Sequence, residues 1–374
     1  MKKIKILFWG IMQVLLIQSV WADDGYYAFK KSLEEKGFEY GIDVSLLAQR
    51  SSPSGKSNAV QFYVYPYFSW ELSDNKLGRG TLNFAYSLVR YGNHNGNNLS
   101  ENSGFLSGLN DYPTNLDNFA EFYYEYKFAG ALDPFTIGVG QFPLYNFDGT
   151  DYNANQQINF LNDALAQNAS ATYTQAGVGI YTKINVTENL VLAVGGQDGT
   201  NINAESVQFN LSDGKYTTFE YMEYTPVISD IGKFALLIYQ QPSVRKQKES
   251  TDGWSFNWAR NLGEKLNVFA RLNQTDGHVA EIKRSFVLGG VYNNPINRNP
   301  LDQIGLAYAL NFADEKAALN TVYHKEEQVV ELYWSWGVGN NIIITPDVQF
   351  YIKPAFAEKS DYGLATSLRA TILF

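Results

Sequence analysis

Cysteine is absent from the 374 residues, which excludes a disulfide framework, a thiolate nucleophile and any thiolate metal site. Histidine is scarce: His94, His278 and His324 are the only three, and no two of them stand at metal-pair spacing. Gly195-Gly196 is followed by no Lys-Ser/Thr pair, so it is not a phosphate loop. Basic charge is in the minority, with 29 Lys and Arg against 38 Asp and Glu, which argues against nucleic acid as a partner. Beyond the first 22 residues no apolar run is long enough to span a bilayer as a helix.

What is present begins with an export pattern. Lys2, Lys3 and Lys5 precede the apolar run Ile6 to Ile17, and Val20-Trp21-Ala22 offers a small-residue cleavage site before Asp23. Gln13 and Gln18 leave the run short of the ~20 apolar residues of a membrane anchor. Residues 1–22 are therefore expected to be a signal peptide, residues 23–37 a helical segment with Phe29 and Leu33 on one face, and residues 38–374 one β domain.

The β domain is legible as alternation. Val330, Leu332, Trp334, Trp336 and Val338 share one parity against Glu331, Tyr333 and Ser335. Ile342, Ile344, Val348, Phe350 and Ile352 stand against Thr345, Asp347, Gln349 and Lys353, and Leu364, Leu368, Ala370, Ile372 and Phe374 against Gly363, Ser367, Arg369 and Thr371. Such strands have one greasy and one polar face, as in a soluble sandwich or an outer-membrane barrel. Aromatics at 15%, with 26 Tyr and 24 Phe, favour the barrel, where rings collect at the membrane interfaces. A slightly polar mean hydropathy of −0.26 agrees, because half of each barrel strand is polar.

Counting from Phe38 gives sixteen candidates. They are separated by turn chemistry such as Asp198-Gly199, Asp213-Gly214 and Asp276-Gly277. The fold expected is all-β, a transmembrane antiparallel barrel of sixteen strands with a short N-terminal helix; weak strands such as Leu190 to Gln197 leave fourteen or eighteen open. Asn93 to Asp117 reads as an exposed loop. Pro143 to Ser170 is the longest insertion, with a short helix near Ile158 to Ala166; in a barrel it can fold inward and narrow the channel. Its Asp148 and Asp151 offer oxygen ligands for a loop calcium, but no metal or cofactor is assigned.

The C-terminal third resembles the carbohydrate-selective porin family of the OprB type. The resemblance is carried by Glu331-Leu332-Tyr333-Trp334, Thr345-Pro346-Asp347-Val348-Gln349-Phe350, Pro354 and Leu368-Arg369-Ala370 to Phe374. Upstream, Asn299-Pro300-Leu301-Asp302-Gln303-Ile304-Gly305-Leu306 and the segment Leu33 to Phe38 are similar to the family as well. The middle of the chain shows no such motif. The resemblance implies a sixteen-stranded pore in the bacterial outer membrane that passes sugars passively. The terminal Phe374 resembles the signal read by the barrel-insertion machinery. A monomer and a homotrimer are both compatible, and small carbohydrates and outer-membrane lipid are the other expected partners.

A sugar-selective lumen needs aromatic faces for stacking and polar groups that replace lost water. The polar parity supplies the pore-lining candidates Glu121, Tyr123, Glu125, Lys127, Arg271, Glu331, Asp347 and Arg369. Barrel interiors are polar in any case, so opposed charges can equally brace the wall. The alternative function is a general porin, or one for other solutes such as organic acids or amino acids. An enzyme in the same kind of barrel, such as an outer-membrane phospholipase, needs a Ser two residues after the base His, and none of the three histidines has one. The chain is therefore not expected to be an enzyme. A secreted soluble binding module is a third reading.

Overall fold

The computed structural model describes residues 24–53, 58–149, 155–208, 210–227 and 231–374; the expected signal peptide lies outside them. The sixteen strands are β1 Phe38–Ser52, β2 Asn58–Asn75, β3 Gly78–Tyr91, β4 Leu116–Phe128, β5 Phe135–Phe142 and β6 Gly177–Thr187. They continue as β7 Leu190–Asp198, β8 Tyr216–Tyr224, β9 Lys233–Gln241, β10 Thr251–Leu262 and β11 Leu266–Thr275. The last five are β12 Ile282–Asn293, β13 Gln303–Ala313, β14 Glu326–Val338, β15 Ile342–Ile352 and β16 Tyr362–Leu373. Each is antiparallel to its sequence neighbour, and β1 pairs with β16 from Asp43–Leu373 to Ser52–Leu364. The sheet thus closes into a barrel with no free edge, so every strand finds its backbone partners inside the wall. No helix among the described residues is long and apolar enough to cross a membrane.

The alternation has the expected sense. Cross-strand pairs such as Val44–Val64, Trp258–Ala270, Leu332–Val348 and Ile344–Ala370 put apolar side chains outward. Asp43, Ser45, Gln49, Arg271, Glu331, Asp347 and Arg369 point inward and are buried. Outward aromatics cluster near the strand ends, with Trp70, Tyr224, Tyr292 and Trp334 at one and Tyr216, Trp254 and Tyr362 at the other. Leu288, Leu306 and Leu368 fill the band between them, the pattern of a wall crossing a bilayer.

Helix α1, Asp24–Glu34, stands at the end of the barrel where the chain closes. Lys30 Nζ donates to the Phe374 carbonyl at 3.2 Å and lies 5.4 Å from the Tyr40 ring centroid. Gly37 ends the segment at φ 75°, and its carbonyl accepts from Glu71 N at 2.7 Å. Short turns dominate this end, and the long connections gather at the other.

Two differences from the sequence reading concern those connections. The sixth strand, expected from the sequence over Thr172 to Ile184, begins at Gly177. Thr172 and Thr174 are drawn off the wall by Thr251 Oγ1, 2.6 Å from Thr172 Oγ1, and by Gln241 Oε1, which accepts from Thr174 N at 3.2 Å. The stretch expected as an exposed loop, Asn93 to Asp117, instead enters the barrel. Helix α2, Gly96–Ser103, is closed at its N-terminus by a reciprocal capping box between Asn95 and Asn98. Leu99, Phe105 and Leu109, scattered among Asn, Gly and Ser, are fully buried against the inner wall.

Candidate functional site

Two connections share the interior: residues 92–115, and residues 143–149 and 155–176 of the next long one. The second carries α3, Asp163–Ala166, with Asn162 as its N-cap, close to the helix expected near Ile158 to Ala166. The wall holds both by aiming polar side chains at loop backbone. Glu327 accepts from Leu106 N at 2.6 Å, Ser107 N and Oγ at 2.8 Å each, and Ala355 N at 3.2 Å. Glu331 accepts from Leu161 N at 2.6 Å and Asn162 N at 2.9 Å. Arg369 donates to the carbonyls of Asn159, at 2.8 Å, and Gln156, and Thr371 Oγ1 donates to that of Gln157 at 2.7 Å. Phe105 stacks on Tyr351 with ring centroids 3.7 Å apart. The loops also clasp each other: Asp163 N donates to the Gly108 carbonyl at 3.2 Å and Asp111 N to Gln156 Oε1 at 3.0 Å.

These anchors come from β14 to β16, so the loops lie against that half of the wall and leave space toward β2 to β5. The open volume there is about 230 Å³. Tyr63 and Tyr65 of β2 and Glu121 of β4 line it from the wall, and Asp111, Tyr112, Tyr145, Tyr173, Gln156 and Gln167 from the loops. Five tyrosines supply ring faces, Asn and Gln side chains supply donors and acceptors, and Asp111 and Glu121 supply negative charge. No Lys or Arg is among the described lining residues. Burial pushes the Asp111 carboxyl up to about 7, against a Gln167 hydrogen bond and the charge of Arg271. Asp163 in the adjoining loop rises to about 8, through burial first and then the charge of Asp111.

The eight expected pore-lining residues all project inward, into different surroundings. Glu121 lines this open volume and accepts from Asn146 Nδ2 at 2.8 Å. Glu125, four residues further along β4, binds Lys183 Nζ at 2.9 Å and Tyr181 OH at 2.5 Å. Tyr123 packs edge-on to Phe142 with centroids 6.4 Å apart, and Lys127 is exposed at the end of β4. Arg271 is buried beneath the second loop, where Nε donates to Asn257 Oδ1 at 3.1 Å; Asn257 in turn donates to Asp148 at 3.2 Å. Glu331 and Arg369 grip the loop, with Asp347 buried between them.

Asp148, considered for calcium, accepts from Asn168 Nδ2, Tyr173 OH and Asn257 Nδ2, while Asp151 lies outside the described residues. Among the described residues no group of three or more His, Asp or Glu side chains is placed to hold a metal ion. Sequence reasoning missed Asp111, Tyr112, Tyr63, Tyr65 and the anchor Glu327. The inward parity of β2 marked its two tyrosines, but Phe62, Pro66 and Phe68 on the other face hid the contrast.

The chain is similar to known proteins along most of its length. A family model described as carbohydrate-selective porin, OprB family, matches residues 214–374. Porin AaxA of Chlamydia abortus is 37% identical over 338 residues, which cover 87% of this chain and 75% of that one. Porin AaxA of Chlamydia felis is 35% identical over 333 residues, 86% and 74% of the two chains. Among solved structures, the high-pH form of Pseudomonas putida OprB superposes with a TM-score of 0.76 at 15% identity, covering 93% of this chain and 97% of that one. Salmonella typhi OmpF, in complex with daunomycin, gives 0.61 at 12% identity, covering 91% and 99%. At these identities both structures speak to the fold alone.

Proposed function

The chain belongs to the OprB family of porins, an outer-membrane barrel through which solutes pass, and from that premise we propose that it selects small hydrogen-bonding solutes that are neutral or positively charged. One observation carries this reading: the lining of the passage has two carboxylates, five tyrosines and several amides, and neither Lys nor Arg. An anion entering a narrow, partly dehydrated passage of that kind meets like charge with no cation on the described lining to pair with, whereas a neutral polyol meets none.

Carbohydrates are the neutral members of the class and the first reading. Tyr63, Tyr65 and Tyr112 offer flat faces for pyranose C–H surfaces. Glu121, Asp111, Gln156 and Gln167 exchange hydrogen bonds with hydroxyls shed of water. The family's description supports this choice. The same two carboxylates favour a second reading, an organic cation carrying an ammonium or guanidinium group, for which Asp111 and Glu121 act as successive counter-charges.

Swelling of liposomes containing the purified protein tests the class and separates the readings. Glucose, maltose, lysine and glutamate are compared at equal osmolarity. Glucose and lysine are expected to enter faster than glutamate. Equal entry of glutamate overturns the proposal, and lysine outrunning glucose at comparable size selects the cationic reading.

A further inference from the structure

Glu220 breaks the pattern of the outer wall. It faces outward from the middle of β8, four residues from each of the outward tyrosines Tyr216 and Tyr224 that end the strand. It pairs with Val194 of β7 and Ile238 of β9. The other outward-facing charges among the described residues, Arg50, Arg90, Asp117, Asp252, Arg260, Arg284 and Glu326, all lie within two residues of a strand end, where the bilayer gives way to water. Glu220 is exposed and has no hydrogen bond or ion pair among the described residues. A carboxyl at that depth is unfavourable against lipid tails.

The wall is also lowest here. β5 has 8 residues and β7, β8 and β9 have 9 each, against 14 to 18 in β1 to β3. Nine tilted residues rise about 23 Å, slightly less than the ~25 Å apolar band that such barrels present. A groove of about 350 Å³ runs along the same face between Ile184, Leu192, Val194, Met222, Leu236 and Ile238.

We infer that this face receives a second copy of the chain, related by a two-fold axis along the membrane normal that passes beside Val194. The pairing register supplies the complementarity. Thr182 of β6, Val194 of β7 and Glu220 of β8 form one outward row at one height, so the hydroxyl and the carboxyl flank Val194 at about 5 Å per strand on either side. Rotation about Val194 exchanges the two ends of the row. Each Glu220 then meets the other copy's Thr182, and each hydroxyl donates to a carboxyl that has no partner in its own chain. Such a contact is self-complementary, as a two-fold interface must be. It removes Glu220 from lipid and relieves the short strands of matching the full hydrocarbon thickness. A foreign partner would have to bring its own donor to the same depth.

The absence of cysteine makes the test direct. Val194→Cys lies on the proposed axis, Leu192→Cys beside it, and Leu306→Cys faces outward on β13, away from the contact. Oxidative cross-linking in intact outer membranes is expected to give a band of twice the chain mass with Val194→Cys or Leu192→Cys and none with Leu306→Cys. Glu220→Leu in the Val194→Cys background is expected to abolish that band, and Glu220→Gln, which keeps a hydrogen-bond acceptor, to preserve it. Heat-modifiable migration confirms that each variant is folded. Monomer alone from both folded cysteine variants, a cross-linked band of another mass, or a band indifferent to Glu220→Leu overturns the inference.

Discussion

Glu331 Oε1 lies 2.6 Å from the backbone N of Leu161, although the two residues are 170 positions apart, and Oε2 lies 2.9 Å from the N of Asn162. The wall thus holds the tip of the second inward loop through two adjacent peptide groups. Arg369 does the complementary work on the carbonyl of Asn159. Carboxylate to N–H and guanidinium to carbonyl are charge-assisted bonds, stronger than their neutral equivalents.

Removing that grip should widen the pore. Glu331→Ala leaves two buried N–H groups without acceptors, at a cost of about 2 kcal/mol or more, and the loop gains by turning those groups to water. Single-channel conductance is expected to rise and to fluctuate more, while the barrel retains its heat-modifiable migration. Glu327→Ala should do the same for the first loop, since Glu327 accepts from three groups of Leu106 and Ser107. Unchanged conductance in both variants would show that the anchors do not set the width.

Charge selectivity should depend on Asp111 and Glu121. A unit charge about 8 Å from an ion in a watery passage contributes about 0.5 kcal/mol, roughly twofold in permeation for each sign of ion. Glu121→Gln and Asp111→Asn are each expected to move the reversal potential in a KCl gradient toward zero, and the double variant to move it further. Arg271→Gln, changed beneath the loop and off the passage, is expected to alter it less.

The wall was readable because a strand announces its two faces in alternate residues: Glu331, Asp347 and Arg369 were placed inward by parity alone, and they are inward. Parity does not say what lies in front of an inward residue. For those three it is the 143–176 loop, so they meet loop backbone, while Glu121 on the far side of the barrel meets open space. The open volume itself is built mostly from loop residues such as Asp111 and Tyr145, which have no period to read. The inward course of 92–115 was hidden for the same reason, since Leu99, Phe105 and Leu109 are too widely spaced among polar residues to look like a core. Glu327, in the Glu326-Glu327 pair that opens β14, stands where alternation has not yet begun.

The contact between the two loops should respond to pH. Asp111 near 7 and Asp163 near 8 both bind their protons more tightly in the clasped arrangement than free carboxyls do. Protonation therefore favours the clasp. Its contribution is complete below about pH 4, the ordinary carboxylate range, and is lost as pH rises through 7 and 8, when both groups ionise near each other. Open-channel noise is expected to grow between pH 6 and 9, and cation preference with it, because Asp111 becomes charged over the same range. Asp163→Asn should flatten the noise while leaving most of the change in selectivity, and Asp111→Asn should flatten both. A noise profile independent of pH in the unaltered protein would contradict the assignment.

Packing of rings onto glycines makes a last, structural prediction. The Tyr333 ring of β14 lies so close over Gly305 of β13 that a Cβ there would overlap it. Tyr333 in turn meets Phe160 of the second loop edge-on at 5.0 Å and donates to Gln303 Oε1 at 2.9 Å. Gly305→Ala must push the ring into Phe160, and overpacking of this kind costs about 1–3 kcal/mol. Tyr333→Leu relieves the overlap, so the double variant should recover part of the loss, which additive, independent sites would not do. The measurement is the temperature at which the folded band gives way to the unfolded one on a gel. Gly305→Ala should lower it and the double variant restore it in part; a double variant as unstable as the sum of the two single changes would mean that the strain lies in the backbone and not between Gly305 and Tyr333.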